Sequence, residues 1–140
     1  MQYKLSIPCS KTNLEKVRSF VAEVLNDTQL EEVECHKIIL AVDEVCANMM
    51  IHSNGCNPSK KLDIRVEHEP LKQLEFIIRD TGKHFDIKGY NEPSMQEIVS
   101  SKRKGGLGLI LVKRIMDGIE FSTDKNYNIC KLTKKLNFEV

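Results

Sequence analysis

Two pairs of alternating segments constrain this chain more than anything else in it. In "KKLDIRVEHE", Leu62, Ile64 and Val66 are apolar and alternate with polar neighbours, and "LEFIIRD" follows after the turn "PLKQ". A period of two puts successive side chains on opposite faces of a strand. A short turn between two such runs makes them antiparallel neighbours. Near the C-terminus "GIEFSTD" and "YNICKLTKKLN" repeat the arrangement and predict a second hairpin. "YKLSIP", alternating and ending at proline, predicts a first strand. A sheet with one apolar face must be covered on that face, and helices are the usual cover.

The helical patterns are present. In "SKTNLEKVRSFVAEVLND", Leu14, Val17, Val21, Val24 and Leu25 fall on one face, with Thr12 or Asn13 expected to cap the start. A second helix is predicted from about Glu31 to about Ser53. Its apolar positions are Val33, Ile38, Ile39, Leu40, Val42, Val45, Met49, Met50 and Ile51, a wide arc that suits the central helix of the fold. "LGLILVKRIMD" predicts a third helix, approached through glycines. Between Thr81 and Gly106 regular patterning fails, apart from a possible short helix at "SMQEIVSS". A stretch of that length inside a compact domain is usually a functional loop or lid. The expected fold is α+β: a two-layer α/β sandwich with a mixed, mostly antiparallel sheet, helices on one face, and a lid at about 83–106.

Composition removes several alternatives. A length of 140 residues predicts a single domain, 1–140. Hydrophobic residues at 41 % and charged residues at 29 % exclude a disordered chain. A net charge of +1 gives no electrostatic case for nucleic-acid or membrane binding. No segment is long and apolar enough to span a bilayer, and "MQYKLSIPCS" lacks the apolar core of a signal peptide. The 5 cysteines form no CxxC pair, which predicts reduced thiols in a cytoplasmic protein. The set Cys35, His36, Cys46, His52 and Cys56 matches no zinc spacing.

Three short motifs carry candidate chemistry. In "AVDEVCANMMIH", Glu44, Asn48 and His52 recur at four-residue steps and share one helical stripe. A carboxylate can take a proton from a hydroxyl, and an amide oxygen suits Mg²⁺. In "RDTGKHFD", Asp80 ends a strand and Gly82 follows. A strand-end carboxylate can accept from an amino group such as that of adenine, beside a glycine that allows close approach. In "KGGLGLILVKRIMD", Gly105, Gly106 and Gly108 lead into a helix. Such a turn offers backbone N–H groups to phosphate. It is neither a Walker P-loop nor a dinucleotide fingerprint. Each motif also has a plain structural reading: exposed polar positions on a helix, a D-x-G turn, a flexible loop.

Taken in order, the three motifs resemble the GHKL ATPase superfamily, and within it the anti-sigma-factor serine/threonine-protein kinase group. "LAVDEVCANMMIH" resembles its N box, "DTGKHFD" its adenine box, and "GGLGLILVKRIMD" its lid-end box. The resemblance implies ATP and Mg²⁺ as cofactors, Glu44 as general base, and Asn48 as the metal-holding residue. It implies adenine recognition by Asp80 and Gly82, and phosphate contacts from Gly105, Gly106, Leu107 and Gly108. His84 departs from the proline common at its position, and His52 receives no role. The Lys102-Arg103-Lys104 run could meet a γ-phosphoryl group or be a solvated loop, and stays unassigned. The implied partners are a sigma factor and a small anti-sigma-factor antagonist, in a bacterial cytoplasmic homodimer, although no dimer stripe stands out in the apolar pattern. The alternative within the same fold is a non-catalytic, ATP-gated protein-binding module.

Overall fold

The computed structural model describes residues 1–52, 60–80, 104–124 and 127–136, with backbone alone at 51–52 and 104–107. The strands are β1 (Gln2–Pro8), β2 (Lys61–Glu69), β3 (Gln73–Asp80), β4 (Gly118–Asp124) and β5 (Tyr127–Lys135), and the helices are α1 (Leu14–Asn26), α2 (Glu32–His52) and α3 (Lys104–Ile115). The five strands form one sheet in the order β1-β2-β3-β5-β4. Every neighbouring pair is antiparallel. The expectation of a mixed sheet is therefore corrected for the described residues: both predicted hairpins form, and β5 closes on β3 without a parallel crossover.

The alternation seen in the sequence sets the faces. Leu62, Ile64 and Val66 of β2, Leu74, Phe76 and Ile78 of β3, and Cys130 and Leu132 of β5 are buried. They meet Val17, Val21, Val24 and Leu25 of α1, the buried arc of α2, and Val112 and Ile115 of α3 in one core. The other face is polar. There Arg79 pairs with Asp63 at 3.7 Å, Lys131 pairs with Glu75 at 3.3 Å, and the Arg79 guanidinium lies 4.7 Å from the Tyr127 ring centroid. These pairs are partly exposed, so each contributes little to stability.

Local chemistry ends the helices. A single 3₁₀ turn, Lys11–Asn13, leads into α1. Neither expected cap is used: Asn13 makes no side-chain cap bond and instead donates from Nδ2 to the Pro8 carbonyl at 2.9 Å, while Thr12 shares a hydroxyl contact with Ser10 at 2.9 Å. The 3₁₀ turn supplies the first bonds that a side-chain cap would have made. At the far end the Thr28 hydroxyl donates to the Leu25 carbonyl at 2.6 Å. The last turn of α3 is tied to the sheet, where Lys134 Nζ donates to the Ile115 carbonyl at 2.8 Å. A cation there also suits the negative end of the helix dipole.

The third helix starts earlier than its sequence suggests. Its first residue is Lys104, so Gly105, Gly106 and Gly108 lie inside α3 and not in a loop before it. Glycine is disfavoured in a helix but not excluded when the surroundings require it. The rest of the expected lid, its short helix, and Gly82 lie outside the described residues.

Candidate active site

Helix α2 places the first motif. Its core arc is Ile38, Ala41, Val42, Val45, Cys46, Met49 and Met50, the spacing of one helical face. Val33 and Leu40 do not join it; they are 62 % and 42 % exposed, so the buried arc is narrower than the apolar residues alone suggest. The arc seats α2 with α1 on one flank and α3 on the other.

Adjacent residues on a helix point about 100° apart, and the acidic pair Asp43-Glu44 straddles the arc. Asp43 turns to α1, where Arg18 Nη1 donates to its Oδ1 at 3.1 Å. Glu44 turns to α3. A Cβ placed on Gly108 would run into Glu44 Oε2 and lie 3.2 Å from Glu44 Cδ. The carboxylate therefore rests against the α3 backbone in space that only glycine leaves open.

Asn48 follows Glu44 by one turn on the same flank, and both are half-buried. The Asn48 Nδ2 atom is itself buried and has no hydrogen-bond partner among the described residues. Burying an amide without a partner is costly, so this group is set to meet an oxygen-rich ligand. The side chain of His52, next in the stripe, lies outside the described residues.

Asp80 ends β3, the strand beneath α2. It is 1 % exposed, unusual for a carboxylate, and Asn128 beside it is 3 % exposed. The register sets Asp80 opposite Asn128 of β5, and Asn128 Nδ2 donates to Asp80 Oδ1 at 2.9 Å. A buried carboxylate needs such donors. The sequence reading missed Asn128. The available signal was an amide at an inward position of β5, between Cys130 and the strand start, where the alternation calls for an apolar residue.

Cys46 stands on α2 between Glu44 and Asn48 but faces the core. Burial, helped by the Asp43 charge and the neighbouring Cys130 and Cys9 thiols, pushes its thiol well above the ordinary range. Burial alone pushes Cys130 up to about 12. Both stay protonated at neutral pH and supply no nucleophile. Among the described residues no cluster of histidine, cysteine and carboxylate side chains could hold a metal by itself. The orphaned Asn48 Nδ2 is a donor and suits a phosphate or water oxygen, while its Oδ1 is the atom that could ligate an ion whose other ligands come from phosphate and water.

Three of the predicted groups are thus located: Glu44 with Asn48 on one flank of α2, Gly108 against Glu44, and Asp80 at the adjacent strand end. Gly105, Gly106 and Leu107 are located by backbone alone, in the first turn of α3.

Comparison with known proteins identifies the family and the fold. Residues 7–134 match the histidine kinase-like ATPase domain. The chain is 27 % identical over 138 residues to the serine-protein kinase RsbW of Halalkalibacterium halodurans, covering 95 % of this chain and 82 % of that one. It is 32 % identical over 113 residues to the serine-protein kinase RsbW of Bacillus licheniformis, covering 78 % of this chain and 68 % of that one. Among solved structures, the RsbU and RsbW domains of a Mycobacterium tuberculosis protein superpose with a TM-score of 0.66 at 11 % identity, covering 97 % of this chain and 32 % of that one. The catalytic domain of the histidine kinase ThkA superposes with a TM-score of 0.57 at 13 % identity, covering 98 % and 97 %. At these identities the structures speak for the fold alone. The fold, the order of the motifs and the matched length together place this chain in the histidine kinase-like ATPase family.

Proposed function

We propose that this protein is an ATP-binding anti-sigma regulatory factor with serine/threonine protein kinase activity toward a small anti-sigma-factor antagonist. The observation that carries the proposal is the Glu44–Asn48 flank of α2: a carboxylate lying against Gly108 of α3 and, one turn on, an amide whose buried Nδ2 has no hydrogen-bond partner among the described residues. Bound Mg-ATP supplies the transferable phosphoryl group and neutralises charge as that group moves. Asn48 would hold the metal through Oδ1, and the first turn of α3 would offer backbone N–H groups to phosphate oxygens. Asp80, kept in orientation by Asn128, accepts the adenine amino group, with Gly82 beside the base. Glu44 takes the proton of the attacking serine or threonine hydroxyl. The hydroxyl oxygen bonds to the γ-phosphorus as the bond to the β–γ bridging oxygen breaks, and ADP leaves with that electron pair. Positioning and electrostatics supply most of the acceleration.

The relatives named serine-protein kinase RsbW support this reading. We further propose that the protein works in the bacterial cytoplasm as a homodimer that sequesters a sigma factor; among the described residues no helix is long and apolar enough to cross a membrane. The test is calorimetry with Mg-ATP, followed by transfer of labelled γ-phosphate to the antagonist encoded nearest the gene. Binding weakened by Asp80→Asn, with transfer lost in Glu44→Ala, is the expected result. Binding without any transfer by wild type would instead make the protein an ATP-gated binding module, and no binding would remove the nucleotide reading altogether.

A further inference from the structure

We infer that Gly108 is a positioning residue for Glu44: its absent side chain is the space in which the carboxylate sits. The inference rests on the reading of Glu44 as the base. Gly108 is the fifth residue of α3, beyond the first turn, where backbone N–H groups are already committed to the helix. A glycine this far into a helix is disfavoured relative to alanine, so a reason specific to the position is needed. The structure supplies one, because a methyl group here would overlap Glu44 Oε2 and crowd Cδ at 3.2 Å.

The atoms in the way are the far end of a flexible side chain and not backbone. Alanine at 108 is therefore accommodated by swinging the Glu44 carboxylate aside, while α2 and α3 keep their packing. That separates stability from position: alanine improves helix propensity and displaces the base in the same step. A residue conserving only the fold would show the first effect without the second.

The experiment is Gly108→Ala, followed by melting temperature, Mg-ATP affinity and the kinetics of phosphate transfer. The expected result is a melting temperature at or above wild type, ATP affinity and KM within about threefold, and kcat lower by roughly a hundredfold, the cost of an ångström-scale misplacement. Glu44→Asp, which withdraws the carboxylate by one methylene, supplies the second arm. Adding Gly108→Ala to Glu44→Asp should cost little beyond the loss that Glu44→Asp brings alone, because the methyl group no longer meets the carboxylate, so the two losses fall well short of multiplying. Losses that simply multiply in the double variant would overturn the inference, as would wild-type kcat in Gly108→Ala. If wild type transfers no phosphate, the kinase reading fails, and the positioning inference is read from the Glu44 carboxyl ¹³C resonance. It must shift in Gly108→Ala; an unchanged resonance and titration would overturn it.

Discussion

Asn128 Nδ2 donates to Asp80 Oδ1 at 2.9 Å, across the β3–β5 register, with both side chains buried. The bond fixes one oxygen of a carboxylate that has almost no contact with water. Orientation of Asp80 is thus set by a residue 48 positions away in the chain, on a strand that carries none of the recognisable motifs.

Replacing Asn128 should therefore act on nucleotide binding without touching the nucleotide motifs. Asn128→Ala is expected to destabilise the fold by about 1–3 kcal/mol, because it removes a donor from a buried charge. It should also weaken Mg-ATP binding by roughly tenfold. Urea denaturation and calorimetry on the same preparation separate the two effects.

The thiols predict an alkaline limit to stability. Cys130 ionises at about 12 in the folded protein against an ordinary value of 9.0, and Cys46 is raised in the same direction. A raised thiol means that the folded state holds its proton where the unfolded state has lost it. Stability from this source is complete below pH 9 and declines as pH rises toward 12. Cys130→Ala should flatten that decline while lowering stability at pH 7 through lost packing. Chemical denaturation from pH 7 to pH 11 measures both.

Leu71 predicts a site for stabilisation. Its φ is 63°, in the turn between β2 and β3, and the side chain is 65 % exposed. A branched aliphatic residue pays steric strain there without packing in return. Leu71→Asn should raise the unfolding free energy by up to about 1 kcal/mol, visible as a higher urea midpoint at an unchanged slope. A lower midpoint would mean that the leucine side chain makes a contribution larger than its strain.

The Arg18–Asp43 bridge predicts the opposite kind of result. It is an ion pair between α1 and α2 at 3.1 Å, beside their apolar packing, and Arg18 is 47 % exposed. Asp43→Ala should change stability by less than about 1 kcal/mol, and the difference should shrink in high salt. Denaturation at two salt concentrations checks it.

Local pattern carried most of the fold. Leu62, Ile64 and Val66 alternate, and the strand they define is β2, running Lys61–Glu69. What escaped was whatever depended on contacts between distant elements. Asn128 has no local signature because its role exists only through register. Val33 and Leu40 look like core residues in a helical projection, but the cover that α1 and α3 give α2 does not extend to them. The start of α3 at Lys104 sets Gly105, Gly106 and Gly108 inside a helix against their propensity, and at Gly108 the Glu44 carboxylate takes the space a side chain would need. Asn13 looked like a cap and bonds to the Pro8 carbonyl instead, since a 3₁₀ turn already begins the helix. Glu44, Asn48 and Asp80 were legible because four-residue spacing and a strand end fix position without long-range information.

The central claim is that Glu44 moves a proton and does not merely complete a binding surface. Glu44→Gln keeps the shape of the side chain and removes the base. The decisive measurement is single-turnover transfer of γ-phosphate to the antagonist by Glu44→Gln, with Mg-ATP affinity measured alongside. The account predicts affinity within about threefold of wild type and a transfer rate lower by roughly 10²–10⁴. Transfer at the wild-type rate, with nucleotide bound normally, would contradict it.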